Sequence, residues 1–159
     1  MFVWTHPELA IAIHDRQIGE SGGNPGVRDE SLLEFTLARP QQLFSIREPQ
    51  PDLADLAATL AFGIARNHPF IDANKRTALV AYRTFLALNN AEFRASAEEK
   101  FVTIMKLADG QLSERRFAEW LRERIRIVEP RVAAPKKKAK PKKKSKPKKK
   151  ATRKKARRR

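Results

Sequence analysis

Apolar residues recur every three to four positions along most of the chain, and clusters of turn-forming residues break that rhythm. Such a period predicts amphipathic helices rather than strands. Thr5-His6-Pro7-Glu8 reads as a capping box with proline near the first helical position, and Trp4 before it is placed to staple the cap. The helix it opens runs through Leu9, Ile13 and Ile18 and should stop between Gly19 and Gly23. Ser21-Gly22-Gly23-Asn24-Pro25-Gly26 is too rich in turn formers for regular structure and predicts a flexible loop or small hairpin-like flap. Asp29 then caps a helix carrying Leu32, Leu33, Phe35 and Leu37, with Pro40 as its expected end.

Asp52 caps a third helix with Leu53, Leu56, Ala57, Leu60 and Ile64 on one face, while Ala58, Ala61 and Ala65 allow close packing. It should end by Asn67, because His68 precedes proline and so avoids helical geometry. Asn74 opens a fourth helix that is apolar over much of its circumference, which predicts the central helix; Asn89-Asn90 ends it. Ser96-Ala97-Glu98-Glu99 is a further capping box, for a helix stopping at Gly110. Ser113 caps the last, with Phe117, Trp120, Leu121 and Ile125 on its buried side, and Pro130 closes the domain. Phe85, Phe101, Phe117 and Trp120 fall at helical spacing and are most simply core. The expectation is an all-α domain over residues 1–130, long enough for a single hydrophobic core, followed by a separate segment over 131–159.

Charge divides the chain at the same place. Of the 34 Lys and Arg, 17 lie between Pro135 and Arg159 with no acidic residue; the other 17 share residues 1–134 with all 18 Asp and Glu. The body is therefore near −1 and the tail +17, against +16 overall. Beyond Pro135 no apolar residue exceeds Ala, so burial there cannot offset ordering entropy and disorder is expected. The absence of cysteine excludes disulfides, thiolate catalysis and Cys-ligated metals. No apolar run approaches membrane-spanning length and no signal peptide is legible, so a cytoplasmic location without membrane contact is expected.

The candidate chemistry lies in His68-Pro69-Phe70-Ile71-Asp72-Ala73-Asn74-Lys75-Arg76, between two apolar helices. A helix start offers free N–H groups and a positive dipole end to an anion. Asn74, Lys75 and Arg76 add donors and two cations there; cations at a helix N-terminus disfavour the helix alone, which points to an expected anion. Asp72 beside them is placed to hold Mg²⁺ bound to phosphate oxygens, and His68 to take a proton from an incoming hydroxyl. Phe70 should plug into the core and fix the loop. A capped helix start with a core His and solvated basic residues is the plainer alternative. His14-Asp15 suggests an HD-type metal phosphohydrolase, but only His6 and His68 remain as further histidines, and His14 reads as structural or groove-lining.

His-Pro-Phe-x-Asp-Ala-Asn-Lys-Arg resembles the signature loop of the Fic/Doc family, in its Doc (death-on-curing) branch. The resemblance extends to His14-Asp15, to Gly22-Gly23-x-x-Gly26-x-Arg28-Asp29, to Leu37-Ala38-Arg39-Pro40 and to Phe85-Leu86-x-Leu88-Asn89. It implies a compact Fic/Doc-type helical bundle over roughly residues 5–126. The wider family resembles His-x-Phe-x-Asp/Glu-Gly-Asn-Gly-Arg-x-x-Arg and usually transfers AMP from ATP to a protein hydroxyl. This sequence departs at Ala73, Lys75 and Leu79. The last two departures resemble the Doc branch, where the γ-phosphate is what meets the target.

The resemblance thus implies a toxin of a type II toxin–antitoxin system. It would use ATP and Mg²⁺ to phosphorylate a Ser or Thr of a translation elongation factor. His68 would be the general base, Asp72 the Mg²⁺ ligand, and Asn74, Lys75 and Arg76 the phosphate clamp. Gly22, Gly23, Gly26 and Arg28 would form a target-docking flap; a plain interhelical turn is the alternative. No Ser/Thr-x-x-x-Glu-Gly/Asn segment of the autoinhibitory kind occurs, which fits restraint by a separate antitoxin laid as a helix over the groove. AMP transfer is the alternative reaction. Another class is a catalytically silent nucleic-acid-binding protein.

The tail lies outside the resemblance to that family. Its lysine triplets, Lys136, Lys137, Lys138, Lys142, Lys143, Lys144, Lys148, Lys149 and Lys150, resemble a histone-like low-complexity tail. They predict sequence-independent attraction to DNA or RNA, and with it association with the nucleoid; a solubilising extension is the alternative.

Overall fold

The computed structural model describes residues 1–128. Six helices succeed one another: α1 (Pro7–Ser21), α2 (Glu30–Ile46), α3 (Leu53–Asn67), α4 (Asn74–Leu88), α5 (Ala97–Ala108) and α6 (Glu114–Arg122). Two short strands, β1 (Ala91–Phe93) and β2 (Ile125–Ile127), pair antiparallel, with Ala91 opposite Ile127 and Phe93 opposite Ile125. The bundle is mostly helical, as the apolar period predicts. Pro130, the 131–159 segment and its lysine triplets lie outside the described residues. Among the described residues, no helix is long and apolar enough to cross a membrane.

The central helix is α3, not α4 as expected. It packs against α2, α4, α5 and α6, and it is buried nearly all round, from Leu53 and Leu56 to Ile64 and Ala65. Alanine makes this possible, because small residues let neighbours approach from every side. On α4, Thr77, Ala78, Ala81, Tyr82, Phe85 and Leu86 are buried, but Arg83 stays exposed, so it is a flank rather than a core.

Local capping holds where it was legible. The Asp29, Asp52, Ser96 and Ser113 side chains each accept a first-turn N–H, and those of Asp52 and Ser96 belong to full reciprocal boxes. Four expectations fail. His6 is the N-cap of α1 and makes no side-chain cap bond, while the Thr5 hydroxyl is buried without a partner. Trp4 instead stacks on Phe85 at 6.1 Å, within a cluster including Phe2 and Phe44. α2 runs through Pro40 to Ile46, because Pro40 is buried and tertiary packing outweighs the lost hydrogen bond. Ile125 lies in β2, where the alternation Ile125-Arg126-Ile127 suits a pleated edge better than another helical turn.

The α2–α3 contact has no slack. A Cβ added to Gly63 would lie 2.7 Å from Thr36 Cγ2. Gly63→Ala should therefore destabilise the fold by about 1–3 kcal/mol, although alanine is the better helix former by about 1 kcal/mol; a lowered urea midpoint at unchanged slope checks it. Asp52 supplies a second test. Partial burial raises its pKa, but the Arg122 guanidinium and the N–H groups of Asp55 and Ala54 outweigh burial and hold it below its ordinary value. Its stabilisation is present above the unfolded carboxylate value of about 3.9 and is lost as pH falls through the folded value. Asp52→Asn should flatten the acid limb of the stability–pH curve.

Candidate active site

The site begins where α3 ends. His68 takes left-handed geometry (φ 52, ψ 58) ahead of Pro69, and its ring is exposed. The Pro69 carbonyl accepts from the N–H groups of Arg28 at 2.8 Å and Asp29 at 3.3 Å. Ile71 N–H donates to Gly26 O at 3.0 Å, and Val27 and Phe70 form an antiparallel bridge. The Arg28 guanidinium donates to Asn67 O at 2.7 Å. The glycine-rich segment is thus a strap laid along the loop. One edge of its 26–28 stretch is paired with the loop, through Gly26 O and Arg28 N–H.

Phe70 is buried, and its ring lies parallel to that of His14, 4.3 Å apart. Asn74 closes the turn: its Oδ1 accepts from Phe70 N–H at 3.0 Å and its Nδ2 donates to Phe70 O at 2.9 Å. Asn74 is itself buried. This side chain was expected as a phosphate donor; the structure employs it in holding the loop. Its backbone N–H remains part of the helix start.

Ala73, also left-handed (φ 57), is the N-cap of α4 and offers no side-chain bond to the first turn. Asp72 fills that position in part. Its carboxylate accepts from Ala73 N–H and from Asn24 N–H, the latter at 3.2 Å. These two bonds, Ala73 first, and then the nearby Arg76 charge hold it below the usual carboxylate range. It is therefore an anion at neutral pH, and one carboxylate fits a Mg²⁺ ion carried in by phosphates.

The two signature cations have partners. Lys75 Nζ lies 2.8 Å from Asp109 Oδ1 at the end of α5. Arg76 donates to Gln17 O at 3.2 Å and Gly22 O at 2.9 Å, closing the C-terminal end of α1. His68, Asp72, Asn74, Lys75, Arg76 and, one helical turn on from Lys75, Leu79 line a cleft of about 430 Å³ together with Phe101, Ile104 and Met105 of α5. Phe101 is 59% exposed, a correction to its expected place in the core. Asn24, Gln17, Asp109 and the α5 wall were not singled out from the sequence, because they join the site only through tertiary contact. His14 is buried, its Nδ1 3.3 Å from Asp15 Oδ1.

Residues 4–86 match the Fic/DOC family, and the chain belongs to it. Over 116 residues, 73% of this chain and 90% of the relative, it is 38% identical to the protein kinase doc of Escherichia phage P1. It is 45% identical over 74 residues to Toxin Doc of Mycolicibacterium smegmatis, covering 46% of this chain and 57% of that protein. Both similarities fall on the Doc branch.

Gly23 is where strap and acid meet. At φ +127, a Cβ there would lie 2.5 Å from Asp72 Oδ2 and 3.1 Å from Arg76 Nη2. Gly23→Ala should displace the carboxylate; an NMR carboxyl titration should show the Asp72 pKa moving up towards its ordinary value, and an unmoved titration would refute this.

Proposed function

We propose that this chain is a Doc-like toxin: a protein kinase that moves the γ-phosphate of ATP to a Ser or Thr hydroxyl of a translation factor. A cognate antitoxin restrains it in the cytoplasm. The observation that carries the reading is the pair of departures from the wider family pattern, seen in place. Lys75 puts an ammonium on the cleft, where the pattern has an open glycine backbone, and Leu79 puts an apolar side chain where the pattern has a second arginine. A cation at the helix start suits a terminal phosphate, and loss of the arginine removes a clamp from the other end of the nucleotide. The similarity to a protein named as a kinase supports the same direction.

In this reading the target oxygen bonds to the γ-phosphorus while the bond to the β–γ bridging oxygen breaks and ADP leaves with that electron pair. His68 accepts the hydroxyl proton. Its exposed ring beside the cleft leaves room for an incoming side chain. Asp72, held anionic, fits Mg²⁺, which neutralises phosphate charge when bound. The first-turn N–H groups of α4, with Lys75 and Arg76, receive the phosphate oxygens. Lys75 can exchange Asp109 for phosphate cheaply, since solvent-exposed pairs contribute only about 0–1 kcal/mol. Positioning and charge neutralisation are most of what phosphoryl transfer requires. The exposed Phe101 beside the cleft fits an antitoxin helix with an apolar face.

ATP labelled at either the α or the γ position, with the full chain and a cell extract, tests the reaction. The γ label should move to protein and the α label should not, and His68→Ala should lower transfer by about 10²-fold or more. Transfer of the α label would establish AMP transfer instead. No transfer of either label, with toxicity retained by His68→Ala, would leave a silent scaffold.

A further inference from the structure

Most phenylalanines of the fold pack on another ring: Phe2 on Phe44, Phe70 on His14, Phe85 on Trp4, Phe93 and Phe117 on Tyr82. Phe35 and Phe101 are exposed and meet no other ring among the described residues. Of these two, Phe101 lines the cleft and Phe35 does not. A large ring left in water is unfavourable, and a flat apolar partner laid on it recovers that free energy.

The place of Phe101 relative to the cleft's charges narrows what that partner is. Asp72, Lys75 and Arg76 belong to the loop and the first turn of α4. Lys75 meets Asp109, the C-cap of α5. Phe101 lies eight residues earlier on α5, about 12 Å from that level at the usual helical rise. Ile104 and Met105 fall between the two levels, and Leu79 is one turn on from Lys75. The cleft thus has a charged end and an apolar end, set apart by about the reach of an extended triphosphate and its ribose.

The apolar end has nothing with which to read a base. Leu79, Phe101 and Ile104 carry no side-chain donor or acceptor, and Met105 has only a thioether sulfur, a weak acceptor. The backbone groups of these four residues lie inside α4 and α5, where helical bonds occupy them. Strong discrimination between bases requires buried polar groups that the wrong base leaves unpaired. An aromatic face, by contrast, stacks on every base.

We infer that Phe101 is the base-stacking wall of the cleft, and that the cleft accepts nucleoside triphosphates without regard to their base, selecting them by their phosphates. The inference rests on the proposed reading of the cleft as a nucleotide site, and it widens the donor from ATP to the class. It applies to the free chain, in which no antitoxin helix covers the ring.

Calorimetric titration of the full chain in the presence of Mg²⁺ tests it, with ATP, GTP, CTP, UTP and inorganic tripolyphosphate, which has the phosphates and no base. The four nucleotides should bind within about tenfold of one another. Each should bind about fivefold or more tighter than tripolyphosphate, the gain from stacking one base. Phe101→Ala should remove that gain from all four and leave tripolyphosphate unchanged. Phe101→Trp should keep it, and Phe101→Leu, apolar but not flat, should lose most of it. The exposed ring leaves no core cavity behind in these variants. A preference above about 10²-fold for one base, nucleotides no tighter than tripolyphosphate, undiminished nucleotide affinity in Phe101→Ala, or an equal loss for tripolyphosphate would each overturn the inference while the phosphate end of the site stood. If neither the nucleotides nor tripolyphosphate bind, the nucleotide reading of the cleft fails and takes the inference with it.

Discussion

The two hydrogen bonds between the Asn74 side chain and the Phe70 backbone are the constraint from which the site follows. They turn the chain back on itself between α3 and α4, inside the protein. A net contribution of about 0.5–1.5 kcal/mol for each bond is ordinary, but leaving a buried N–H or C=O without a partner costs about 1–3 kcal/mol. The Phe70 groups are buried, so the alternative to this turn is expensive. With the turn closed, Phe70 can only point inward, against His14, and Asp72 can only face the start of α4 and Asn24. The left-handed residues His68 and Ala73 mark the turn's two ends. Neither is a conformation these residues choose alone; each is imposed by what lies between them.

That turn needs a rigid wall behind it, and α3 supplies it. Its alanines and Gly63 let α2, α4, α5 and α6 close on one axis, so the ends of α3 and α4 are held by packing rather than by the loop. The loop's remaining degrees of freedom are taken up by the strap through Gly26, Val27 and Arg28.

Much of this was legible in the chain. The helix starts at Asp29, Asp52, Ser96 and Ser113 are local events, read from a residue and its neighbours three positions on. His68, Asp72, Lys75 and Arg76 stand together because they are close in sequence. What escaped was decided at long range. Pro40 ends an isolated helix but not one whose proline is buried. Phe101 has helical spacing but no partner across from it. Lys75 reaches Asp109, 34 positions away, and Arg76 reaches Gln17 and Gly22, more than 50 away. The Asn74 side chain is a different case: an amide that serves a phosphate and one that serves a backbone turn are written with the same letter.

The signature segment is short, but little of its geometry is its own. Its backbone is bonded by Gly26, Arg28 and Asp29, its acid by Asn24, its cations by Gln17, Gly22 and Asp109, and its aromatic ring rests on His14. Residues 68–76 transplanted to another helix start would bring the right side chains and the wrong shape. The smallest portable unit is discontinuous: the end of α1 with its strap, the loop itself, and the last turn of α5.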